Sequence, residues 1–411
     1  MSTDHEPLSE GSLAEPERAP GQFGKIEPDP GEQHDRLKEL ARVFFKLGTI
    51  AFGGPAAHIA MMDDEIVKRR QWFEREKLLD LMGVTNLLPG PNSTELAIHI
   101  GYERAGWKGL FVAGSCFIFP AMVMVWILAA IYDQYRTLPE VGWLLYGIKP
   151  VIIAIILRAL WKLGQKAIKD APTALAAAGV IGGYFFGINE ILLLLLAGLA
   201  AMIIENLRRG LQMSLWLVPV SELLGRAGGS EAMAVGAPPG WLQIFLFFLK
   251  IGSVLYGSGY VLLAFLQRDL VDRYRWLTSQ ELLDAIAIGQ FTPGPVFTTA
   301  TFVGYLVGGN VGAIAATVGI FLPAFLLVGI VNPWVSYLRH SRWFGTFLNG
   351  VNAASLGLMA AVTFVLGREA VVDWLTVALA ALAAIAVFRF KVNSAWIVLA
   401  GGLVGFVSQW L

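Results

Sequence analysis

The chain has 411 residues, 56% of them hydrophobic and 15% charged, against about a quarter charged in an ordinary soluble domain. That balance excludes a soluble globular protein and reads as an integral membrane protein. Formal net charge is zero, so nothing points to nucleic acid or an acidic partner. The lone Cys116 lies in an apolar run and excludes an intramolecular disulfide.

Residues 1–36 are acidic, rich in Pro and Gly and almost free of large apolar side chains, which predicts a disordered tail. No basic region followed by a short apolar core opens the chain, so no cleaved signal peptide is expected. Beyond the tail, apolar runs at 109–131, 143–161, 191–204 and 311–331 approach or exceed the roughly 18 to 20 residues that cross a hydrocarbon core. They are far too long for barrel strands. The fold class expected is an all-α polytopic membrane protein.

A shift of about 204 residues lays the chain on itself. Lys46, Gly48, Phe52 and Gly53 fall on Lys250, Gly252, Tyr256 and Gly257, and Trp72 falls on Trp276. Pro89-Gly90-Pro91 falls on Pro293-Gly294-Pro295. After a one-residue slip, Gly101-Tyr102 falls on Gly304-Tyr305, Pro120 on Pro323 and Gly147 on Gly350. The two copies are residues 37–207 and 241–411, joined by a linker at 208–240. Each copy reads as six hydrophobic segments, beginning near 40, 78, 108, 143, 172 and 190, then near 241, 281, 311, 344, 371 and 392.

Lys and Arg in short loops orient membrane helices. In the first copy the loop after segment three holds only Arg136, while the loop after segment four holds Lys162, Lys166 and Lys169. The second copy reverses this: Arg339 and Arg342, then Arg389 and Lys391, fall where the first is poor, and only Arg368 falls where it is rich. The reversal predicts inverted repeats, which requires that one segment per copy dip in and return, or that the linker cross. The second segment, broken by Pro-Gly-Pro, is the candidate for a re-entrant helix. A parallel repeat stays open, because the loop before that segment is basic in both copies (Lys68, Arg69, Arg70; then Arg268, Arg273, Arg275).

Proline removes an amide and glycine permits unusual dihedrals, so "LLPGPNSTELAIHIGY" (87–102) and "FTPGPVFTTATFVGY" (291–305) each end one helix and begin another. Freed backbone groups in hydrocarbon need partners, so such breaks line cavities. A half-helix starting at Pro91 or Pro295 aims its amides and positive dipole end at that cavity, which suits an anion. Asn92, Ser93 and Thr94, and in the second copy Thr298 and Thr299, can hydrogen-bond oxygen without adding negative charge. The simpler reading is a kinked helix with Ser and Thr as caps. Two breaks in register match transporters that hold substrate between repeats at the midplane.

Upstream, "KLGTIAFGGP" and "KIGSVLYGSG" place equivalent lysines, Lys46 and Lys250, inside apolar sequence, followed by Gly53, Gly54 and Gly257. Intramembrane charge is a site candidate, with snorkelling as the alternative. Glu95 and His99 stand one helical turn apart and are candidates for proton coupling. For His58, Arg104, Lys149 and Arg158 the structural role is the expectation. No phosphate loop, zinc helix or spaced Cys pair occurs, so neither a metal site, a cofactor nor an enzyme is expected.

"FGGPAAHIAMM", the two Pro-Gly-Pro stretches and "IFLPAF", in that order in a duplicated chain, resemble the bacterial chromate ion transporters in their long, two-domain form. The resemblance runs from about residue 40 to the C-terminus, apart from the linker. It implies a multi-pass plasma-membrane protein that exports chromate, driven by membrane potential or a proton gradient, and so confers chromate resistance. Sulfate, close to chromate in size and shape, is the alternative substrate, and a permease or uptake system the alternative direction. The second copy has Gly-Ser-Gly where the first has Gly-Gly-Pro, so the two halves of the site differ. Partners expected are the oxyanion and the lipid bilayer, with a homodimer left open.

Overall fold

The structure, a computed structural model, describes residues 30–208, 239–256, 259–331, 342–390 and 392–410. Among the described residues it holds fourteen α-helices, short π and 3-10 pieces, and no strand. In the first copy these are α1 (Pro30–Ile50), α2 (Gly54–Met62, continued as a π-helix Asp63–Arg69), α3 (Arg75–Thr85), α4 (Asn92–Tyr135), α5 (Pro139–Ala167), α6 (Ala171–Phe185) and α7 (Glu190–Arg208). In the second they are α8 (Trp241–Val254), α9 (Leu262–Phe265, continued as a π-helix Leu266–Arg273), α10 (Ser279–Phe291), α11 (Thr299–Val331), α12 (Arg342–Ala370), α13 (Trp374–Arg389) and α14 (Ser394–Trp410). Five stretches have the length and apolar composition to cross a membrane: Asn92–Tyr135, Pro139–Ala167, Glu190–Leu207, Val296–Val331 and Trp343–Ala370.

One boundary is corrected at once. Residues 30–36, assigned to the disordered tail, are the first turns of α1, where Arg36 reaches back to Glu32 at 3.2 Å. Proline tolerates a helix start because its missing amide has no partner there anyway. The rest of the tail and residues 209–238 of the linker lie outside the described residues.

Neither α4 nor α11 is a single rod. Ala105 and Gly106 leave helical geometry, with Gly106 at φ +61°, ψ −148°, and Gly308 and Gly309 do the same, with Gly309 at φ +61°, ψ −150°. At each place the chain reverses. Thr301 and Thr317, sixteen residues apart, share a hydrogen bond of 2.7 Å, which a continuous helix would forbid. Gly101 and Gly109, like Gly304 and Gly312, press backbone on backbone where the two arms meet, and any Cβ there would collide with a carbonyl. Each element is therefore a short arm (92–104 or 299–307), about 20 Å or less, followed by a long arm (107–135 or 310–331) of about 33 to 43 Å. The short arm cannot span the roughly 30 Å core and the long arm can.

The short arm is half of a re-entrant hairpin. Lys77 of α3 pairs with Glu103 at 3.1 Å, closing its open end, while Pro-Gly-Pro forms its tip. α1 and α2 make a second such hairpin: Lys46 lies 3.4 Å from Glu65, and Arg70 lies 2.8 Å from Glu39. Arg104 bonds that same Glu39 at 3.0 Å and stacks over Trp72, so both hairpins open on one face. Thus both the first and the second segments dip and return, where only the second was expected to.

From that face the long arm of α4 runs to the other, where Tyr132 donates to Asp284 (2.7 Å) and Arg136 pairs with Glu281, both on α10. α10 is the counterpart of α3, so matching ends of the two copies lie on opposite faces. The long arms confirm it by running antiparallel: Trp107 packs on Gly329, Phe111 stacks on Phe325 at 5.8 Å, and Trp126 bonds Asn310 at 2.9 Å. The repeats are inverted, and the parallel arrangement is excluded. With four crossing segments after the hairpins, Arg208 and Trp241 stand on opposite faces.

The remaining helices interlock by exchange. α5 packs against α13 and α14 of the other copy, and its equivalent α12 packs against α6 and α7 of the first. At both crossings small residues let backbones touch: Gly147 meets Gly401 and Gly405, and Gly350 meets Ala197 and Gly198. Close approach at small residues is how helices associate where lipid removes the hydrophobic drive.

In a Cys116→Ala background, Glu76→Cys and Gln280→Cys, equivalent exposed positions, are expected to react with a membrane-impermeant maleimide from opposite faces. Labelling of both from one face would overturn the inverted arrangement.

Candidate functional site

The four re-entrant tips are joined across the pseudo-twofold axis. The amide of Gly90 donates to the carbonyl of Leu255 at 2.8 Å, and the amide of Gly294 donates to the carbonyl of Ala51 at 2.9 Å. Ala51 and Leu255 are equivalent residues at the ends of α1 and α8. Each Pro-Gly-Pro glycine takes a positive φ, +143° at Gly90 and +92° at Gly294, which turns its amide out of its own hairpin toward the other copy. Behind them, Gly90 lies against Ala324 and Gly294 against Ala121, next to Pro323 and Pro120 of the long arms. The two glycine amides are therefore not offered to an anion as the broken helices alone would imply.

In the first copy a buried histidine extends the junction. His58 of α2 places Nε2 at 3.0 Å from the Ala51 carbonyl and Nδ1 at 3.2 Å from the Ser93 hydroxyl. A carbonyl only accepts, so Nε2 carries the hydrogen and Nδ1 of the neutral ring accepts from Ser93. The Ala51 carbonyl also receives Gly294, so one continuous path runs from Ser93 through His58 to the second Pro-Gly-Pro. His58, for which a structural role was expected, is here a buried bridge whose partners the residue types alone did not name. The available signal was the mismatch between copies: His58, Ser93, Glu95 and His99 correspond to Leu262, Phe297, Thr299 and Val303.

Glu95 stands in the first turn of the short arm of α4, whose N-cap is Pro91. Its side chain is 0% exposed and both carboxylate oxygens lack a hydrogen-bond partner. The side chain folds back toward the break, so that a Cβ on Gly90 would fall 2.5 Å from Oε1. Thr94, also fully buried, has an unpartnered hydroxyl. The amides of Thr94 and Glu95 return to the Pro91 carbonyl at 2.7 and 3.0 Å, and those of Asn92 and Ser93 have no intrahelical acceptor. His99 is buried one turn further along.

The other predicted residues scatter more. Asn92 turns its amide to Asn86, the C-cap of α3, at 2.8 Å, and Thr298 and Thr299 donate to the carbonyls of Pro295 and Val296 at 2.7 and 2.8 Å. Gly53 and Gly54 form the turn between α1 and α2, both at positive φ. Lys46 and Lys250 do not reach the tips. Each is partly exposed and pairs with a carboxylate of its own hairpin, Glu65 at 3.4 Å and Asp269 at 3.3 Å. Gly257 lies outside the described residues. Pro89 and Pro293 flank their glycines and are buried with them.

Three charged contacts between the copies close the face opposite the open ends of the first copy's hairpins. Lys149 lies 3.1 Å from Asp284, Arg268 lies 3.2 Å from Glu190, and Arg136 pairs with Glu281. Asp284 and Glu190 are almost fully buried, so each pair is isolated from solvent screening on its acidic side.

His58→Leu, which installs the residue of the second copy, is expected to leave the Ser93 hydroxyl without its acceptor and to lower stability by about 1–3 kcal/mol. A melting temperature in detergent no lower than wild type would show that the bridge holds nothing.

The sequence profile of the chromate transporter family matches residues 38–202 and 242–406, one match in each copy. A chromate transport protein of Pseudomonas aeruginosa is 32% identical over 394 residues, covering 90% of this chain and 92% of that one. One of Cupriavidus metallidurans is 30% identical over 389 residues, covering 90% and 93%. An uncharacterised transporter of Bacillus subtilis is 29% identical over 130 residues, which are 32% of this chain and 73% of that shorter one. No solved structure matches. With both of its inverted halves matched, the chain belongs to the chromate transporter family.

Proposed function

We propose that this chain is a secondary transporter that exports chromate across the plasma membrane, driven by the membrane potential or a proton gradient, and that it thereby confers chromate resistance. The observation that carries this reading is the cross-repeat junction of the two Pro-Gly-Pro tips in the middle of an inverted repeat. Inverted-repeat transporters hold their substrate at such a junction and expose it to either side by rocking one half against the other. Inversion matters because the same two packings, exchanged between halves, describe the inward and outward states.

The substrate site is placed at the start of the short arm of α4. The free amides of Asn92 and Ser93 and the hydroxyl of Thr94 suit a tetrahedral oxyanion, and the helix dipole adds to their attraction. Thr298 and Thr299 face the same task in the second copy by rotating their hydroxyls away from backbone carbonyls. Lys46 and Lys250, partly exposed, draw the dianion toward the tips by exchanging Glu65 and Asp269 for it. Such donors read charge and shape, so sulfate fits as well as chromate. The face rich in Lys68, Arg69, Lys77, Arg104 and Lys166 is assigned to the cytoplasm by the positive-inside rule. The charged contacts between Lys149, Arg268 and their acids then form the outer seal.

Radiolabelled chromate is expected to accumulate in everted vesicles above the level of empty membranes, to stop with an uncoupler, and to compete with unlabelled sulfate. Flux equal to empty membranes would sink the reading. Pro91→Ala and Pro295→Ala, which let the helix run through the break, are expected to lower the initial rate at least about tenfold, equivalent to roughly 1.4 kcal/mol, with unchanged protein in the membrane. Full rate in both variants would place the site elsewhere.

A further inference from the structure

Glu95 puts a carboxyl group at the place where an oxyanion would bind. Side chains on a helix lean toward its N-terminus, so a glutamate in the first turn carries its carboxylate back over the unpaired amides. That is the geometry at the break: Oε1 rests against Gly90, whose lack of a Cβ makes the room. The carboxylate is 0% exposed and makes no hydrogen bond, and no Lys or Arg pairs with it among the described residues. The titratable groups around it are Tyr256 on the opposing tip, His99 one turn along the same arm, and His58, which reaches Ser93 beside it. His58, held between a carbonyl and a hydroxyl, is neutral. The helix N-terminus is the source of positive potential, and an incoming dianion needs the same one.

We propose that the Glu95 carboxylate and the transported oxyanion contend for the N-terminus of the short arm of α4, so that the oxyanion binds there only when Glu95 holds a proton. This rests on the oxyanion reading above. Protonation removes the negative charge and lets the side chain move away from the break. Deprotonation restores a tethered competitor that repels the dianion and takes its place. Each bound oxyanion therefore brings one proton to Glu95, and each release returns it, because coupling between two ligands is reciprocal. The pair leaves as one net negative charge, so of the two driving forces proposed above this selects the membrane potential, a proton gradient opposing export. The second copy has Thr299 at this position and so no competitor, which confines the proton to one half of the protein.

The test is titration calorimetry of the purified full-length protein in detergent, with sulfate, whose charge is constant over the range used, and with chromate at alkaline pH. For the wild type, affinity is expected to fall about tenfold per pH unit once Glu95 loses its proton, with uptake of about one proton per ion, read from two buffers of different ionisation enthalpy. Glu95→Gln is expected to bind with a pH-independent affinity and no proton uptake. Glu95→Thr, taken from the second copy, gives the same reading should the Gln variant not fold. A wild type that binds equally at all pH values, or variants that keep its pH dependence, would overturn the competition and leave the oxyanion reading intact. A wild type that binds neither ion at any pH would remove the oxyanion reading, and this proposal with it.

Discussion

A hairpin that dips into hydrocarbon and returns leaves peptide groups at its tip with no water to bond, and each unmet group costs several kcal/mol. Here the tips answer one another. Gly90 gives its amide to Leu255 and Gly294 gives its amide to Ala51, so each copy completes the backbone of the other. The rest of the architecture follows from this need. The tips must meet, hence the long arms of α4 and α11 cross side by side. They must meet related by a twofold axis in the membrane plane, hence the copies are inverted.

Such a junction is also where the substrate is proposed to sit. Irregular backbone at membrane depth is tolerated only where protein or a polar cavity surrounds it. Bringing four tips together concentrates helix ends and hydroxyls at one depth, with the exchanged pairs α5–α14 and α12–α7 holding the halves around them. The glycine contacts at those crossings allow a tight approach without side chains interlocking deeply.

Around the Pro-Gly-Pro breaks, symmetry stops at the side chains. One copy places His58, Ser93, Glu95 and His99 around its break, and the other places Leu262, Phe297, Thr299 and Val303. The backbone thus repeats while the chemistry does not. A related asymmetry appears in the charges that bind the copies together. Lys149 and Asp284, and Arg268 and Glu190, lie on one face, whereas the ion pairs of Glu39, Glu65 and Glu103 on the opposite face stay within the first copy. In the transport cycle proposed above, these pairs between the copies are what would open.

Much of this was legible before any coordinate. Apolar run length decided that the chain spans a membrane, the 204-residue self-match decided that it is duplicated, and the Lys and Arg reversal pointed to inversion. Pro-Gly-Pro announced a break because proline and glycine act on their own backbone, which is local chemistry. What the residues did not announce were contacts made at a distance. The reversals at Gly106 and Gly309 fall just before the third segments expected near 108 and 311, beside Glu103-Arg104 and at Gly309-Asn310, but that the two arms fold back on each other was not legible there. The partners of Gly90 and Gly294 lie in the other copy, and those of Lys46 and of the His58 Nδ1 lie on other elements, so only packing selects them. Local sequence determined where the helices stop, and tertiary structure alone decided which groups meet the backbone they leave open, because in hydrocarbon that partner has to come from another part of the chain.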